Sequence, residues 1–281
     1  MKNRWMVSSL VSGAIALLIL GGYAKPQKAE TINVNGRSAG NEWTKAMSDQ
    51  AEHKTYQLTA GAHVDVSNIS GPVSIEATED SSAEVSIYRR APNPADLAYR
   101  KVYVEQTSSG LTIGQKPGSG EPDSVDLLNR VVLKLPRQVS VSGKSIGGDF
   151  NISGVDGTVK LNGISGSVNA KQLNGTLTVS GVSGNVRVAV TRINDAGLRV
   201  TGVSGNVYLG LASDLNAELS VSNTSGGVSN KIQGLALVSV GGSNPTYSAR
   251  LGSGGPRIVV SNLTGAVVLS RIQKDVQKKK G

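Results

Sequence analysis

The sequence of 281 residues contains no cysteine, one phenylalanine, two tryptophans and two histidines. The absence of cysteine excludes a disulfide framework, a thiolate metal site, a cysteine nucleophile and a lipid-modified cysteine. Because aromatic rings are scarce, the core must be thin and built from Val, Leu, Ile and Ala, which suits a solenoid better than a wide globule. The repeats also offer almost no rings for base stacking, so we expect no nucleic-acid partner.

Glycine is abundant, at 35 of 281 residues, and much of it stands in one recurring phrase. The phrase approximates G-x-S-G-x-V, with Asn at the first position or Asp or Thr at the third in some copies, and occurs six times, at Gly154–Val159, Gly163–Val168, Gly181–Val186, Gly202–Val207, Asn223–Val228 and Asn262–Val267. From Gly148 to Gly184 a marker glycine recurs every nine residues, and the later markers are separated by 21, 21 and 39 residues. A repeat of this kind predicts stacked structural units.

Between the glycines, apolar residues alternate with polar ones, as in Val159-Lys160-Leu161-Asn162. This period of two is typical of strands with one face inward and one face toward water. We therefore predict an all-β, single-domain β-solenoid with rungs of about 18–21 residues, each strand pairing with the next rung. Since a nine-residue spacing also suits consecutive hairpins, an antiparallel meander or sandwich is the alternative. About six rungs are expected between Val139 and Ser270.

The amino terminus predicts export. Lys2 and Arg4 precede an apolar run from Met6 to Leu20, and small residues follow it, so residues 1–24 are interpreted as a signal peptide. If it is not cleaved, the same segment is long enough to anchor the chain in a bilayer. Under either interpretation the remaining chain lies outside the cytoplasm, in the periplasm, on the cell surface or in the medium.

The remaining chain divides by composition. Residues 25–55 are expected to form a polar linker and amino-terminal cap, in which Asn41–His53 fits one short helix. The solenoid follows at 56–270, irregular over 56–138 and regular over 139–270, and a basic tail ends the chain at 271–281. The formal net charge is +9. We expect membrane contact only through the tail or an uncleaved amino-terminal segment.

The chain also resembles a bacterial family, the "putative adhesin" domains of unknown function. The resemblance covers roughly residues 63–269 and rests on the step at Leu135-Pro136, on Ser145–Phe150 leading into the repeats, and on the closing rung at Ile258–Val267. It implies an exported β-helix-like stack. The family has no established catalytic residues, so the resemblance implies no catalytic, cofactor or metal site.

No catalytic set is evident in the residues. Gly143–Gly147 has the G-x-S-x-G form of a nucleophile elbow, but both histidines, His53 and His63, lie upstream and the motif falls in a repeat corner. Acids near turns, such as Asp149 and Asp156, are expected to bond the turn backbone. We therefore expect no catalytic, cofactor-binding or metal-binding residues and no cofactor.

The expected function is non-catalytic binding or scaffolding in the cell envelope. The candidate contacts are outward-facing basic and aromatic residues on the regular strands, namely Lys160, Lys171, Arg187, Arg199 and Tyr208. The loops at Arg89–Ala98 and Pro117–Asp126 complete this surface. An envelope glycan or a surface protein is the expected partner. The alternatives are a polysaccharide lyase or hydrolase using Glu218 as its clearest outward acid, and a scaffold that self-assembles through an uncapped end rung.

Overall fold

A computed structural model describes residues 48–272, apart from residues 117, 119, 121–124 and 244. The signal segment at 1–24, most of the cap at 25–55 and the basic tail beyond Ile272 lie outside the described residues. The described chain is all-β with one short 3₁₀ helix at Pro94–Ala98. It contains no helix that is long and apolar enough to cross a membrane.

The described strands form two sheets that face each other. In chain order the strands are β1 (Ser48–Gln57), β2 (His63–Ser67), β3 (Val73–Thr78), β4 (Ser82–Ala91), β5 (Val102–Thr107), β6 (Gly110–Gln115), β7 (Leu128–Pro136), β8 (Ser140–Ile146), β9 (Phe150–Ser153), β10 (Val159–Ile164), β11 (Val168–Leu173), β12 (Leu177–Val182), β13 (Val186–Val190), β14 (Leu198–Val203), β15 (Val207–Leu211), β16 (Ala217–Thr224), β17 (Val228–Asn230), β18 (Val238–Val240), β19 (Thr246–Leu251), β20 (Arg257–Leu263) and β21 (Val267–Arg271). Sheet A has the order β1-β4-β7-β3-β9-β11-β13-β15-β21-β17, and sheet B has the order β18-β19-β16-β20-β14-β12-β10-β8-β2-β6-β5.

Each rung places one strand in sheet B and the next in sheet A. Equivalent strands pair in parallel from rung to rung, as Val159 of β10 pairs with Leu177 of β12 and Val168 of β11 pairs with Val186 of β13. The β-solenoid is therefore confirmed, and the parallel register excludes an antiparallel meander over the regular repeats. Antiparallel pairing is found only at the two ends of the described stack, where β1, β4, β5, β18 and β19 cover it.

The order of the rungs departs from the order of the chain at both ends. The rung formed by β20 and β21 lies between β14/β15 and β16/β17, and β2/β3 lies between β6/β7 and β8/β9. The six expected rungs between residues 139 and 270 are present, but the expectation that each strand pairs with the next rung is wrong at these points. At the carboxy-terminal end, β18 and β19 fold back as an antiparallel pair on one edge of β16, and β20 pairs with β16 on its other edge and with β14.

The two sheets enclose one continuous aliphatic core. Strand residues alternate between buried and exposed, and the buried set is almost entirely Val, Leu, Ile and Ala. Phe150 is the one aromatic ring among the fully buried side chains of the described chain. A core one rung wide leaves no room for larger rings, which agrees with the composition.

Glycines stack in a column at the corner where the chain passes from sheet B to sheet A. A Cβ atom built on Gly205 would lie 2.5 Å from the carbonyl oxygen of Gly184, and one on Gly184 would lie 2.6 Å from the hydroxyl of Ser167 and 2.7 Å from the carbonyl oxygen of Gly166. Real Cβ atoms do not approach backbone this closely. Neighbouring rungs therefore reach their pairing distance only because these corners carry hydrogen in place of a side chain. The markers Gly157 and Gly175 occupy the opposite corner.

A ladder of polar side chains joins the same corners. The side-chain oxygens of Asp149, Ser167, Asn185 and Asn206 each accept a hydrogen bond from a backbone N–H of the next rung, at 2.7 to 3.2 Å. These bonds satisfy corner amides that the strands leave unpaired. Asp149 thus stabilises a turn, as the sequence predicted.

Shortly before each such corner, one residue with a positive φ angle turns the chain. The φ angles of Gly163 and Asn262 are 68° and 58°, a left-handed conformation that Gly and Asn adopt most readily. Two residues outside the core in succession then precede a buried one, which breaks the alternation and returns Ile164 and Leu263 to the core. Positive φ thus belongs to the first residue of the repeat phrase.

The structure corrects two expectations about the irregular part. Residues 48–55 belong to the long edge strand β1, so the strands begin before Tyr56 and the described part of Asn41–His53 is not helical. Strand β4 extends to Ala91, so Arg89–Ala98 is part strand, part turn and part 3₁₀ helix. Most of Pro117–Asp126 lies outside the described residues. Strands β5 and β6 form an antiparallel hairpin.

A buried arginine closes the amino-terminal end of the core. Arg89 is 3% exposed and lies in register with Gln50 and Asn129, all on the inward side of sheet A. It donates hydrogen bonds to Gln50 Oε1 at 3.1 Å, to Asn129 Oδ1 at 3.3 Å, and to the carbonyl oxygens of Leu97 and Tyr99. These bonds fasten the turn at residues 92–101 over the end of the sheet.

Substitution of Gly205 by alanine tests the glycine column. We expect the free energy of unfolding to fall by roughly 1–3 kcal/mol, because the methyl group overlaps the carbonyl of Gly184 and forces the rungs apart. Urea denaturation followed by circular dichroism measures the change. Gly242→Ala is the matched control, since a Cβ there meets nothing within 4 Å. Equal stability of the two variants would contradict the account.

Substitution of Arg89 by methionine tests whether its hydrogen bonds hold the turn at residues 92–101 over the end of the sheet. Burial lowers the pKa of the Arg89 guanidinium, an effect that the charge of Glu52 opposes. Removing the donor leaves buried acceptors unpaired, so we expect a loss of roughly 1–3 kcal/mol and faster proteolysis within residues 92–101. Arg130→Met, an exposed position on the adjacent strand β7, should change neither quantity. Unaltered proteolysis of Arg89→Met would contradict the assigned role.

Candidate functional site

The five candidate contact residues lie on both outer faces of the solenoid. Lys160 and Arg199 project from sheet B, whereas Lys171, Arg187 and Tyr208 belong to sheet A. They therefore form two surfaces and not one strip. On sheet B, Lys160 and Arg199 are separated by one intervening strand.

On sheet A, four side chains form a row that we call the amide row: Asn151, Asn169, Arg187 and Tyr208. They are in register on adjacent strands, which places them at intervals of about 4.8 Å. The guanidinium of Arg187 stacks over the Tyr208 ring, 4.7 Å from its centroid. Neither carboxamide has a hydrogen-bond partner in the described part of the chain.

A shallow groove of about 260 Å³ borders this row. Asn151 and Asn169 line it, together with Lys171 and Glu76. The groove thus presents amide donors and acceptors, a cation and an anion, and the row continues from it across two further strands to the stacked Arg187–Tyr208 pair. This combination can hydrogen-bond hydroxyl groups and pack against the C–H face of a sugar ring.

At the amino-terminal end of sheet A, some of the outward side chains pair with one another. Lys134 lies 2.9 Å from Glu84, and this hydrogen bond raises the pKa of Lys134. Tyr88 packs edge-on against His53.

On sheet B, an open groove lies at the carboxy-terminal end. It comprises two adjoining hollows of about 350 and 750 Å³, which share Arg257 and Val259. We call it the arginine groove, after Arg199, Arg250 and Arg257. Arg199 was expected from the sequence to be a contact residue, but the other two were not.

The acids of this region do not form a recognised catalytic or metal site. Asp195 lines the smaller hollow and Glu218 the larger one. Lys160 and Arg187, two of the candidate contact residues, do not converge on Glu218. Arg187 is on the other sheet, and Lys160 is four strand spacings from β16, or roughly 19 Å. Among the described residues no three His, Cys, Asp or Glu side chains are placed to hold a metal ion.

The geometry defines a two-faced β-solenoid with open polar grooves on its outer faces. The chain belongs to the Toastrack family of domains of unknown function, DUF4097, whose model matches residues 26–267. This match confirms the resemblance to the bacterial "putative adhesin" domains. A comparison with curated proteins finds no match.

Similar solved structures come from Clostridium sporogenes, Bacteroides fragilis and Parabacteroides distasonis. A putative cell adhesion protein from Clostridium sporogenes is 14% identical with a TM-score of 0.45, covering 80% of this chain and all of that chain. A putative adhesin from Bacteroides fragilis is 11% identical with a TM-score of 0.42, covering 78% and 96%. A putative lipid binding protein from Parabacteroides distasonis is 13% identical with a TM-score of 0.28, again covering 78% and 96%. At these identities and TM-scores, none of the three defines the function of this chain.

Proposed function

We propose that the protein is an exported, non-catalytic binding module of the cell envelope that recognises glycan chains through the outer face of sheet A. The observation that carries this proposal is the amide row. Its two unpartnered carboxamides lie in register with a stacked Arg187–Tyr208 pair. Amide groups that bond hydroxyls, next to a ring that packs against C–H groups, provide the two contacts that glycan recognition requires.

The shape of the surface favours an extended ligand. The row crosses four parallel strands of a flat sheet, with a shallow groove and not a closed pocket beside it. Successive side chains are spaced by about 4.8 Å, a repeat close to the length of one sugar unit. Export, which this role requires, is supported by the charged and apolar pattern of residues 1–24.

A polysaccharide-active enzyme is the competing proposal, with Glu218 as its acid. The separation of Lys160, Arg187 and Glu218 over two faces argues against these three residues acting together. Turnover of uronic-acid polymers that is lost in Glu218→Gln would nevertheless establish it in place of the binding function.

The binding proposal is tested with the double variant Arg187→Ala, Tyr208→Ala. A glycan array and an envelope pulldown with the wild-type chain first identify the bound glycan. Affinity for that glycan, measured by titration calorimetry, should fall by roughly fivefold to tenfold in the double variant, because the stacking surface and a charged donor are both lost.

A matched control exists on the same sheet. Tyr88 and Arg130 are also a Tyr–Arg pair in register, but at the distant amino-terminal end. Tyr88→Ala, Arg130→Ala should therefore bind as tightly as the wild type. The proposal fails if no envelope glycan binds, or if the two double variants lose affinity equally.

A further inference from the structure

The arginine groove on sheet B carries charge that the fold does not use. Arg199, Arg250 and Arg257 are all exposed, and none makes a hydrogen bond or ion pair with another described group. Some other surface cations do have partners. Lys134 pairs with Glu84, and Arg271 donates to the carbonyl oxygen of Ala212 at 2.7 Å.

Glu218 sits between two of these arginines but forms an ion pair with neither of them. It is in register with Arg250 on β19 and with Arg257 on β20. No ion pair joins it to Arg250 or Arg257, so both guanidinium forks remain free. With Asp195 at the rim of the smaller hollow, three cations still face two anions, and the balance of charge in the groove is positive.

The backbone at Gly254 positions one of the arginines. A Cβ atom on Gly254 would lie 2.7 Å from Nε of Arg250, so the side chain of Arg250 lies directly against this turn. Arg199 and Arg257 are diagonal neighbours on adjacent strands, which places their Cα atoms roughly 7–8 Å apart. The three guanidinium groups are thus arranged along the groove by strand register and local packing.

The floor and ends of the groove are partly apolar. Pro256 and Val259 form part of the floor, and Leu235 and Val238 line the far end. Both hollows open to solvent and adjoin at Arg257 and Val259, so a ligand can extend from one to the other. A free guanidinium recognises carboxylate and phosphate oxygens in a two-pronged geometry, and charge complementarity therefore identifies the occupant as an anion.

We propose that the arginine groove binds a linear polymer bearing repeated oxyanion groups, with carboxylates or phosphates held at Arg199/Arg257 and at Arg250. This site is separate from the amide row on sheet A and has a different ligand chemistry. The molecule then has two binding faces and can link a glycan on one side to an acidic polymer on the other.

The test uses the full-length chain and fluorescent probes of defined chemistry. Polygalacturonate supplies carboxylates, poly(glycerol phosphate) supplies phosphodiesters, and dextran is the neutral control. At least one polyanion should bind in an anisotropy titration, more weakly as salt is raised, whereas dextran should not bind at this face. The polyanion that binds identifies which oxyanion the groove accepts.

Five single variants, one of them a control on the other sheet, locate the site. Arg199→Ala and Arg257→Ala should each weaken polyanion binding by about tenfold, while Arg130→Ala, an equal loss of charge on the other sheet, should stay within about twofold. Arg257→Lys should recover only part of the affinity, since lysine lacks the fork. Glu218→Gln should strengthen binding by about twofold to threefold, because it removes a like charge from the ligand's path.

The proposal is overturned if neither polyanion binds, or if Arg130→Ala weakens binding as much as the groove variants. Tighter binding of single-stranded DNA or of phosphatidylglycerol vesicles through the same arginines would overturn it in favour of those partners. The sheet A variant Arg187→Ala, Tyr208→Ala should leave polyanion binding unchanged, so failure here is distinguishable from failure of the proposed glycan function.

Discussion

Close approach of backbone to backbone at the rung corners is the constraint on which the rest of the molecule depends. Parallel strands pair at a spacing of about 4.8 Å only if consecutive corners also lie at that spacing. At Gly184 and Gly205 this leaves room for a hydrogen atom and no more. The glycines therefore set the pitch, while the polar ladder from Asp149 to Asn206 supplies the corner amides with acceptors. The aliphatic core fills a space whose dimensions the corners have already determined.

Much of this architecture can be predicted from the sequence, because each rung is encoded locally. Alternation over Val159–Asn162 defines the inward face, and the repeated phrase locates the turns. The order of the rungs is not encoded in the same way. Gly205 and Gly226 are 21 residues apart, as are Gly184 and Gly205, yet Gly205 stacks against Gly265. Competition among similar edges decides this order, and no local pattern records the outcome.

For the candidate sites too, the local sequence pattern predicts one property and the long-range fold decides another. The outward orientation of Arg187, Arg199 and Tyr208 followed from alternation, but their distribution over two faces depends on which corner each strand follows. Arg250 and Arg257 belong to segments outside the regular phrase, so the repeat did not draw attention to them. The alternation of polar and apolar residues nevertheless marks both as outward-facing. Arg250 lies between buried Ala249 and Leu251, and Arg257 precedes buried Ile258. Strand β1 was missed because its polar residues suit an edge strand and a linker equally well.

The stacking order is tested most directly by disulfide trapping, which is clean because the chain has no cysteine. Thr201 and Ser261 face each other on β14 and β20, with their hydroxyl oxygens 3.3 Å apart. Consecutive stacking would instead place Thr201 beside Ser222, which here is two strand spacings away, or roughly 10 Å, beyond the reach of a disulfide. Mild oxidation should cross-link Thr201→Cys, Ser261→Cys and leave Thr201→Cys, Ser222→Cys reduced. The opposite result would contradict the account.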